Sequence, residues 1–466
     1  MVPGQRALPD HAVPQQRPAD TPPPTILKTQ LSRQELRPGR AAALDGSPAI
    51  FYYRPPPAEA DGTKWVIYLK GGGGCQTNQQ CNGRALGTLG LGSSKDRVNL
   101  RTNIYAGPWA SEDQTENPGF FDAHKVYVPY ITGDYHTGTR EENYTFPFDP
   151  TWNTAALGPQ PQFRFSGHVN LEEIVDQLNT NASFTAIGGG IMAATDVLLM
   201  GCSAGAMGAR TNADWLKDTL PETVNYKVAS IAGTTRGTQS FANFNAGVPG
   251  WTPPSPPDHV PDFSSVVLPW TDPACLQAGL DAGRSDPEAR AYCATNLATT
   301  VRTKIMWIEA QFDYQPIEAQ NNGEFTDADY NTVDGQRYLV QWGRDTRQWL
   351  YDHADFVFSP SCITHCPSIN NHVSVEGVTS LALLNDWFFE INSTSHKRID
   401  GITVDGVHQP LNDGLPSNPT CEQPLPRQVI DNLLSNSGTC EGESTTSFCW
   451  GVRKYWGRDS DWPGPL

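Results

Sequence analysis

The sequence predicts an α/β fold: a doubly wound, mostly parallel sheet with helices on both faces, a long lid insertion and a cysteine-bearing C-terminal appendix. Three observations predict it. Short apolar runs recur along the chain with helical patterns between them. The runs are continuous rather than alternating, as strands buried on both faces require. And 466 residues, with 13 Trp, 18 Phe and 15 Tyr but only 18% charged, supply ample core material.

Residues 1–40 are rich in Pro, Gln and Arg around Thr21-Pro22-Pro23-Pro24 and read as an extended lead-in. The texture changes near residue 48. Buried strands are expected at Trp65–Leu69, Val126–Pro129, Val197–Met200, Lys227–Ile231, Ile305–Ile308 and Phe356–Phe358. Leu171, Ile174, Val175 and Leu178 keep the spacing of one helical face, with Glu172, Glu173 and Asp176 on the other. Leu381, Leu384, Phe388 and Ile391 repeat the pattern late in the body, taken as 41–395. Within it, 233–275 holds Pro249, Pro253, Pro254, Pro256, Pro257 and Pro261, too many for regular structure, and is expected to form a lid or pocket wall. Residues 396–466, with Cys421, Cys440 and Cys449, read as a loop-rich appendix stapled to that body.

Lys and Arg number 33 against 50 Asp and Glu, a net charge of -17. So acidic a chain repels nucleic acid and anionic membrane surfaces, and no basic run compensates. The longest apolar stretch, near 182–209, is broken by Asp196, so no membrane span is expected. Sequons at Asn143, Asn181 and Asn392, together with ten cysteines, point to secretion or an endomembrane lumen. The N-terminus has no apolar signal core, so the targeting segment is expected to have been removed or replaced. No cysteine spacing reads as zinc: there is no CxxC pair, and Cys362…His365-Cys366 lacks a second ligand pair nearby.

The chemistry centres on Gly201-Cys202-Ser203-Ala204-Gly205, a G-x-S-x-G directly after a buried strand and before a small-residue run. A tight strand-to-helix turn needs those glycines, and it lifts the serine hydroxyl to the edge of the sheet at a helix N-terminus. A bare hydroxyl needs a base, and the base needs an orienting acid. Asp313, just past the Ile305–Ile308 strand, is the expected acid, with Glu309 as runner-up. His365, in a cysteine-flanked loop after the next strand, is the expected base, ahead of His372 and of His353 before the strand. Leu69-Lys70-Gly71-Gly72-Gly73-Gly74-Cys75 offers free amides for an oxyanion hole. A phosphate-loop reading fails there, because neither Lys-Ser/Thr nor G-x-G-x-x-G follows.

These motifs resemble the pectin acetylesterase and Notum carboxylesterase family from about Trp65 to Phe389. Gly201-Cys-Ser-Ala-Gly205 is similar to its G-x-S-A-G, Ser361-Cys-Ile-Thr-His-Cys366 to its S-C-x-x-H-C, and Asn117–Tyr130 to its N-P-x-F segment. The resemblance implies an α/β-hydrolase-like fold, with Ser203, Asp313 and His365 as nucleophile, acid and base. It puts the oxyanion amides on Gly72, Gly73 and Ala204, and calls for no metal or cofactor. Lys70, Gly73, Pro316 and Ser230–Gly233 depart from the family pattern and bear on the substrate pocket. The expected function is hydrolysis of carboxylic esters on an acylated small molecule or a glycan- or lipid-modified substrate, by a monomer. Transfer of the acyl group to another alcohol, or an inactive extracellular binding module, are the alternatives.

For the cysteines, spacing suggests Cys75 with Cys81, and Cys362 and Cys366 each with a distant partner, foremost Cys275 and Cys293. Cys202 is expected to stay reduced in the core, leaving an odd thiol among Cys421, Cys440 and Cys449.

Overall fold

In the computed structural model the described residues are 31–421, apart from 38, 87–90, 96–106, 148–159, 234–240, 242–243, 245–262, 296–299, 322–324, 326–328, 330–332, 367–372, 392–396, 403–417 and 419. The apolar runs form strands where they are expected. In chain order the strands are β1 (Ser32–Glu35), β2 (Ile50–Arg54), β3 (Lys64–Leu69), β4 (His124–Val128), β5 (Asp196–Cys202), β6 (Asn225–Ile231), β7 (Ile305–Ile308) and β8 (Phe356–Ser359). A short hairpin, β9 (Ser374–Val375) and β10 (Val378–Thr379), precedes β11 (Lys397–Ile399).

One sheet runs in the order β1-β2-β4-β3-β5-β6-β7-β8-β11. Every pairing from β4 to β11 is parallel, and β2 lies antiparallel to both of its neighbours. Along β3 the side chains alternate between two cores. Trp65, Ile67 and Leu69 pack with Leu171, Ile174, Val175 and Leu178 of the Gly167–Thr180 helix. Val66 and Tyr68 face the opposite layer, with Leu381, Leu384, Trp387 and Phe388 of the Ser380–Phe389 helix. That is the period of two of a strand meeting the helical stripe on either side.

The chain passes from β3 outward to β4, then returns to place β5 on the other side of β3. Doubly wound sheets put their ligands at such a reversal, beyond the carboxyl ends of the strands, here β3 and β5.

Four features depart from the sequence reading. β1 falls inside the expected lead-in; it is a polar edge strand with no apolar run to betray it. β11 begins the expected appendix, yet it extends the sheet in parallel beside β8. Ile391 stands exposed just past the Ser380–Phe389 helix, which Glu390 ends in a left-handed conformation. The Val333–His353 helix lies where no helical pattern was singled out. Of the 233–275 insertion, 234–240, 242–243 and 245–262 lie outside the described residues. Phe241 packs with Phe312, Tyr338 and Ile363, and Pro269 bridges to Gly138.

Candidate active site

Ser203 occupies the turn between β5 and the Ala204–Thr211 helix with φ 59° and ψ −125°, a left-handed backbone that side chains rarely adopt. The turn is bonded on both sides. Ser203 N–H donates to Ile231 O at 2.8 Å, and its carbonyl accepts from Ala206 N at 2.9 Å. A Cβ on Gly205 would strike the Leu69 carbonyl, so the helix can start this close to β3 only with glycine there. Ala204 is the first residue of that helix, and its amide has no acceptor within it.

The glycine loop after β3 lies against this turn: a Cβ on Gly71 would come within 2.6 Å of Ser203 Cβ. Its ends are committed, Lys70 N–H to Val128 O and Cys75 N–H to Gly133 O, both at 3.0 Å. Between them the Gly72 and Gly73 amides have no hydrogen-bond partner among the described residues. Gly73 has φ +67°, a further reason for glycine at that position.

Past its last residue, β7 continues to pair with the chain leaving β8. Glu309, Gln311 and Phe312 donate their amides in turn to Phe358, Pro360 and Cys362 carbonyls. That register carries Asp313 and His365 out side by side. His365 Nδ1 lies 2.7 and 2.9 Å from the two Asp313 oxygens, so Nδ1 donates to the carboxylate. Asp313 is nearly buried and also accepts from Gln315 N–H at 3.0 Å, which fixes its plane. Glu309, the runner-up acid, is buried elsewhere, accepting from Gly233 N–H at 2.9 Å. His353 is exposed on its helix and stacks on Trp349; His372 lies outside the described residues.

Disulfides bind these pieces together, and two expectations about them are corrected. Cys75 joins Cys81 as expected. Cys202 is not reduced: it is bonded to Cys366, with Cα atoms 5.8 Å apart. The residue before Ser203 is thus tied to the residue after His365. Cys202 does point into the core, but Cys366 is part of that same core cluster. The bond joins the turn after β5 to the loop after β8. Cys275 and Cys293 pair with each other rather than with the histidine loop, and Cys362 pairs with Cys421. Cys440 and Cys449 lie outside the described residues; among the described residues no cysteine is free. Cys202, His365 and Cys366 bring possible ligand atoms within 4.8 Å of one another, but both sulfurs are used by the disulfide.

A buried network unnoticed in the sequence supports the glycine loop. Asp134 accepts from Thr132 Oγ1, from His136 N–H at 3.0 Å and from Gly167 N–H at 2.7 Å. It holds Tyr135 and His136, both at positive φ, so that His136 Nε2 donates to Lys70 O at 2.8 Å. Burial pushes the His136 imidazole down to about 4, keeping it a neutral donor. Of the three sequons, Asn143 and Asn181 are exposed and Asn392 lies outside the described residues.

With this geometry in view, the pectinacetylesterase family profile matches residues 25–243. Drosophila melanogaster palmitoleoyl-protein carboxylesterase Notum is 26% identical over 422 residues, 88% of this chain and 56% of that protein. The chain is a relative of the pectin acetylesterases and Notum carboxylesterases. Arabidopsis thaliana pectin acetylesterase 4 is 27% identical over 209 residues, 45% of this chain and 44% of its own length. The chain thus spans about half the length of the curated relatives it matches. The structure of the Drosophila Wnt deacylase Notum superposes with a TM-score of 0.62 at 22% identity, covering 79% of this chain and 96% of that one. This pectin acetylesterase and Notum relative therefore shares the α/β-hydrolase-like fold expected from the elbow motif. Among the described residues, none of its helices is long and apolar enough to cross a membrane.

Proposed function

We propose that the chain hydrolyses carboxylic esters through an acyl-enzyme on Ser203. The observation that carries this reading is the Asp313–His365 contact at 2.7 Å, with Cys366 bonded to the residue before Ser203. Ser203 Oγ attacks the acyl carbonyl and its proton passes to His365 Nε2. The Nδ1–H bond to Asp313 holds the ring in the needed tautomer and stabilises the imidazolium. The oxyanion is met by the amides of Gly72, Gly73 and Ala204. His365 then protonates the departing alkoxide. Water, deprotonated by the same nitrogen, attacks the acyl-serine and releases the acid.

Deacylation of an acylated glycan, small molecule or protein is the substrate class this reading takes from its relatives, which are named acetylesterases and palmitoleoyl-protein carboxylesterases. The paired cysteines favour an oxidising compartment, the outside of a cell or a secretory lumen. Residues 41–395 form the catalytic body in this view.

Two measurements test the reading together. A fluorophosphonate probe labels the wild-type chain on Ser203, and p-nitrophenyl esters from acetyl to palmitoyl are turned over at a chain-length optimum that reports the pocket. A folded chain that neither labels nor hydrolyses any of them overturns it.

A further inference from the structure

The glycine loop that faces Ser203 has no side chain with which to hold its own peptides, and consecutive glycines have the greatest backbone freedom of any residues. One peptide in it is nevertheless held from outside. Arg84 Nη1 donates a short hydrogen bond to Gly72 O, and Nη2 lies 3.0 Å from where a Cβ on Gly73 would be. Arg84 sits in the last turn of the Asn78–Leu86 helix, which the Cys75–Cys81 bond ties to the end of the same loop. Among the described residues no carboxylate pairs with this guanidinium, in a chain whose net charge is -17. Burial raises the Tyr130 and Tyr135 phenols that wall the loop, and the guanidinium charge works against that rise.

A peptide unit is planar, and in the trans form its N–H points opposite to its C=O. Gly72 O and Gly73 N–H belong to one such unit. Holding the oxygen therefore aims the hydrogen, and the guanidinium charge polarises the amide in the direction that strengthens it as a donor. We propose that Arg84 is a positioning residue for oxyanion stabilisation: it fixes and polarises the Gly72–Gly73 peptide so that Gly73 N–H is preorganised for the charge that develops on the substrate oxygen. This inference rests on the esterase reading above. Arg84 acts through the peptide and touches no reacting atom.

The test is steady-state kinetics on p-nitrophenyl acetate with the full chain and Arg84→Lys, Arg84→Gln and Arg84→Met. Losing one oxyanion donor costs about 10²–10³ in kcat, so Arg84→Met is expected to lose about 10²-fold in kcat with KM little changed. Arg84→Lys, a point charge without the planar fork, should recover part of the loss. A trifluoromethyl ketone, which binds as a tetrahedral oxyanion, should lose affinity in proportion to kcat/KM. A merely structural role would lower the melting temperature without that proportionality, and would overturn the proposal. So would wild-type kcat in Arg84→Gln and Arg84→Met, or a loss confined to KM. If Arg84→Met does not fold, the ranking of wild type, Lys and Gln against ketone affinity decides alone. Hydrolysis by the wild type with unaffected Arg84 variants sinks only this inference, whereas no hydrolysis by the wild type sinks the esterase reading and this with it.

Discussion

Ser203 holds a backbone conformation that costs energy, and the turn keeps it because both of its peptide neighbours are bonded and both flanking glycines are sterically required. Replacing the hydroxyl by hydrogen leaves the backbone and the Cβ untouched. Ser203→Ala is therefore expected to keep the melting curve and lose ester turnover by about 10³-fold or more. His365→Ala should fall nearly as far, because the members of such a unit act together, while His353→Ala should keep most activity. The reverse ranking in a p-nitrophenyl ester assay would mean the wrong base. Two other histidines set an acid limit on the fold. Burial pushes His124 and His136 down to about 4 each, whereas in the unfolded chain a histidine titrates near ~6.5. Between those values the unfolded chain binds more protons, so stability is full above about pH 6.5 and is lost as pH falls towards 4, by on the order of 3 kcal/mol per histidine. Asp134, raised by burial, works in the opposite sense within the carboxylate range. Urea midpoints measured from pH 7 to pH 4.5 should fall; a midpoint that holds or rises would show these two histidines already charged in the folded chain.

Loops after four strands have to meet for the site to exist, and their amino acids carry little packing of their own. The sheet solves half of this. Continued pairing of Glu309, Gln311 and Phe312 with Phe358, Pro360 and Cys362 sets Asp313 beside His365. Nothing in the β-ladder joins the His365 loop directly to Ser203, since β6 and β7 lie between β5 and β8. The Cys202–Cys366 bond does, and it closes a span of 164 residues. On the chain-entropy model such a closure contributes about 5 kcal/mol through the unfolded state. The Cys202→Ala, Cys366→Ala pair is expected to lower the melting temperature and to cut kcat by about 10-fold or more, since a misplacement near 1 Å costs about that or more. Mild reduction, followed by mass mapping of alkylated thiols, should show loss of activity in step with loss of this bond. Full activity with both thiols alkylated would leave the tether without a catalytic role. The pairing eluded sequence reading because Cys202 was treated as core filler, and whether a core cysteine has a sulfur beside it is a matter of tertiary contact. Cys275 and Cys293 eluded it for the converse reason. They flank a compact helical pair and close locally over 18 residues, so that no thiol is left for the histidine loop.

Across the whole molecule, a charge of -17 surrounds a site whose glycine loop is held by Arg84, which has no carboxylate partner among the described residues. The long-range field repels a polyanion while the local one does not. An acetyl ester on a neutral glycan should therefore be turned over faster than the same ester on a polygalacturonate chain at low ionic strength. The gap should close towards 0.15 M salt, where the Debye length is about 8 Å. A polyanionic substrate preferred at low salt would show that the cleft reverses the field. At this scale much was legible from residues alone. Six buried strands, the α/β class and the strand-turn-helix around Ser203 all follow from local patterning. Periodicity and turn chemistry act between neighbours in sequence, so a linear string carries them in full. The polar edge strand β1, the parallel pairing of β11 on β8, the Asp134 support, the Arg84 contact and three of the four disulfides belong to the tertiary structure. Each is a choice among partners that local patterning does not single out. The free energy that makes the choice comes from burial and hydrogen bonding that exist only once the sheet has brought those partners together.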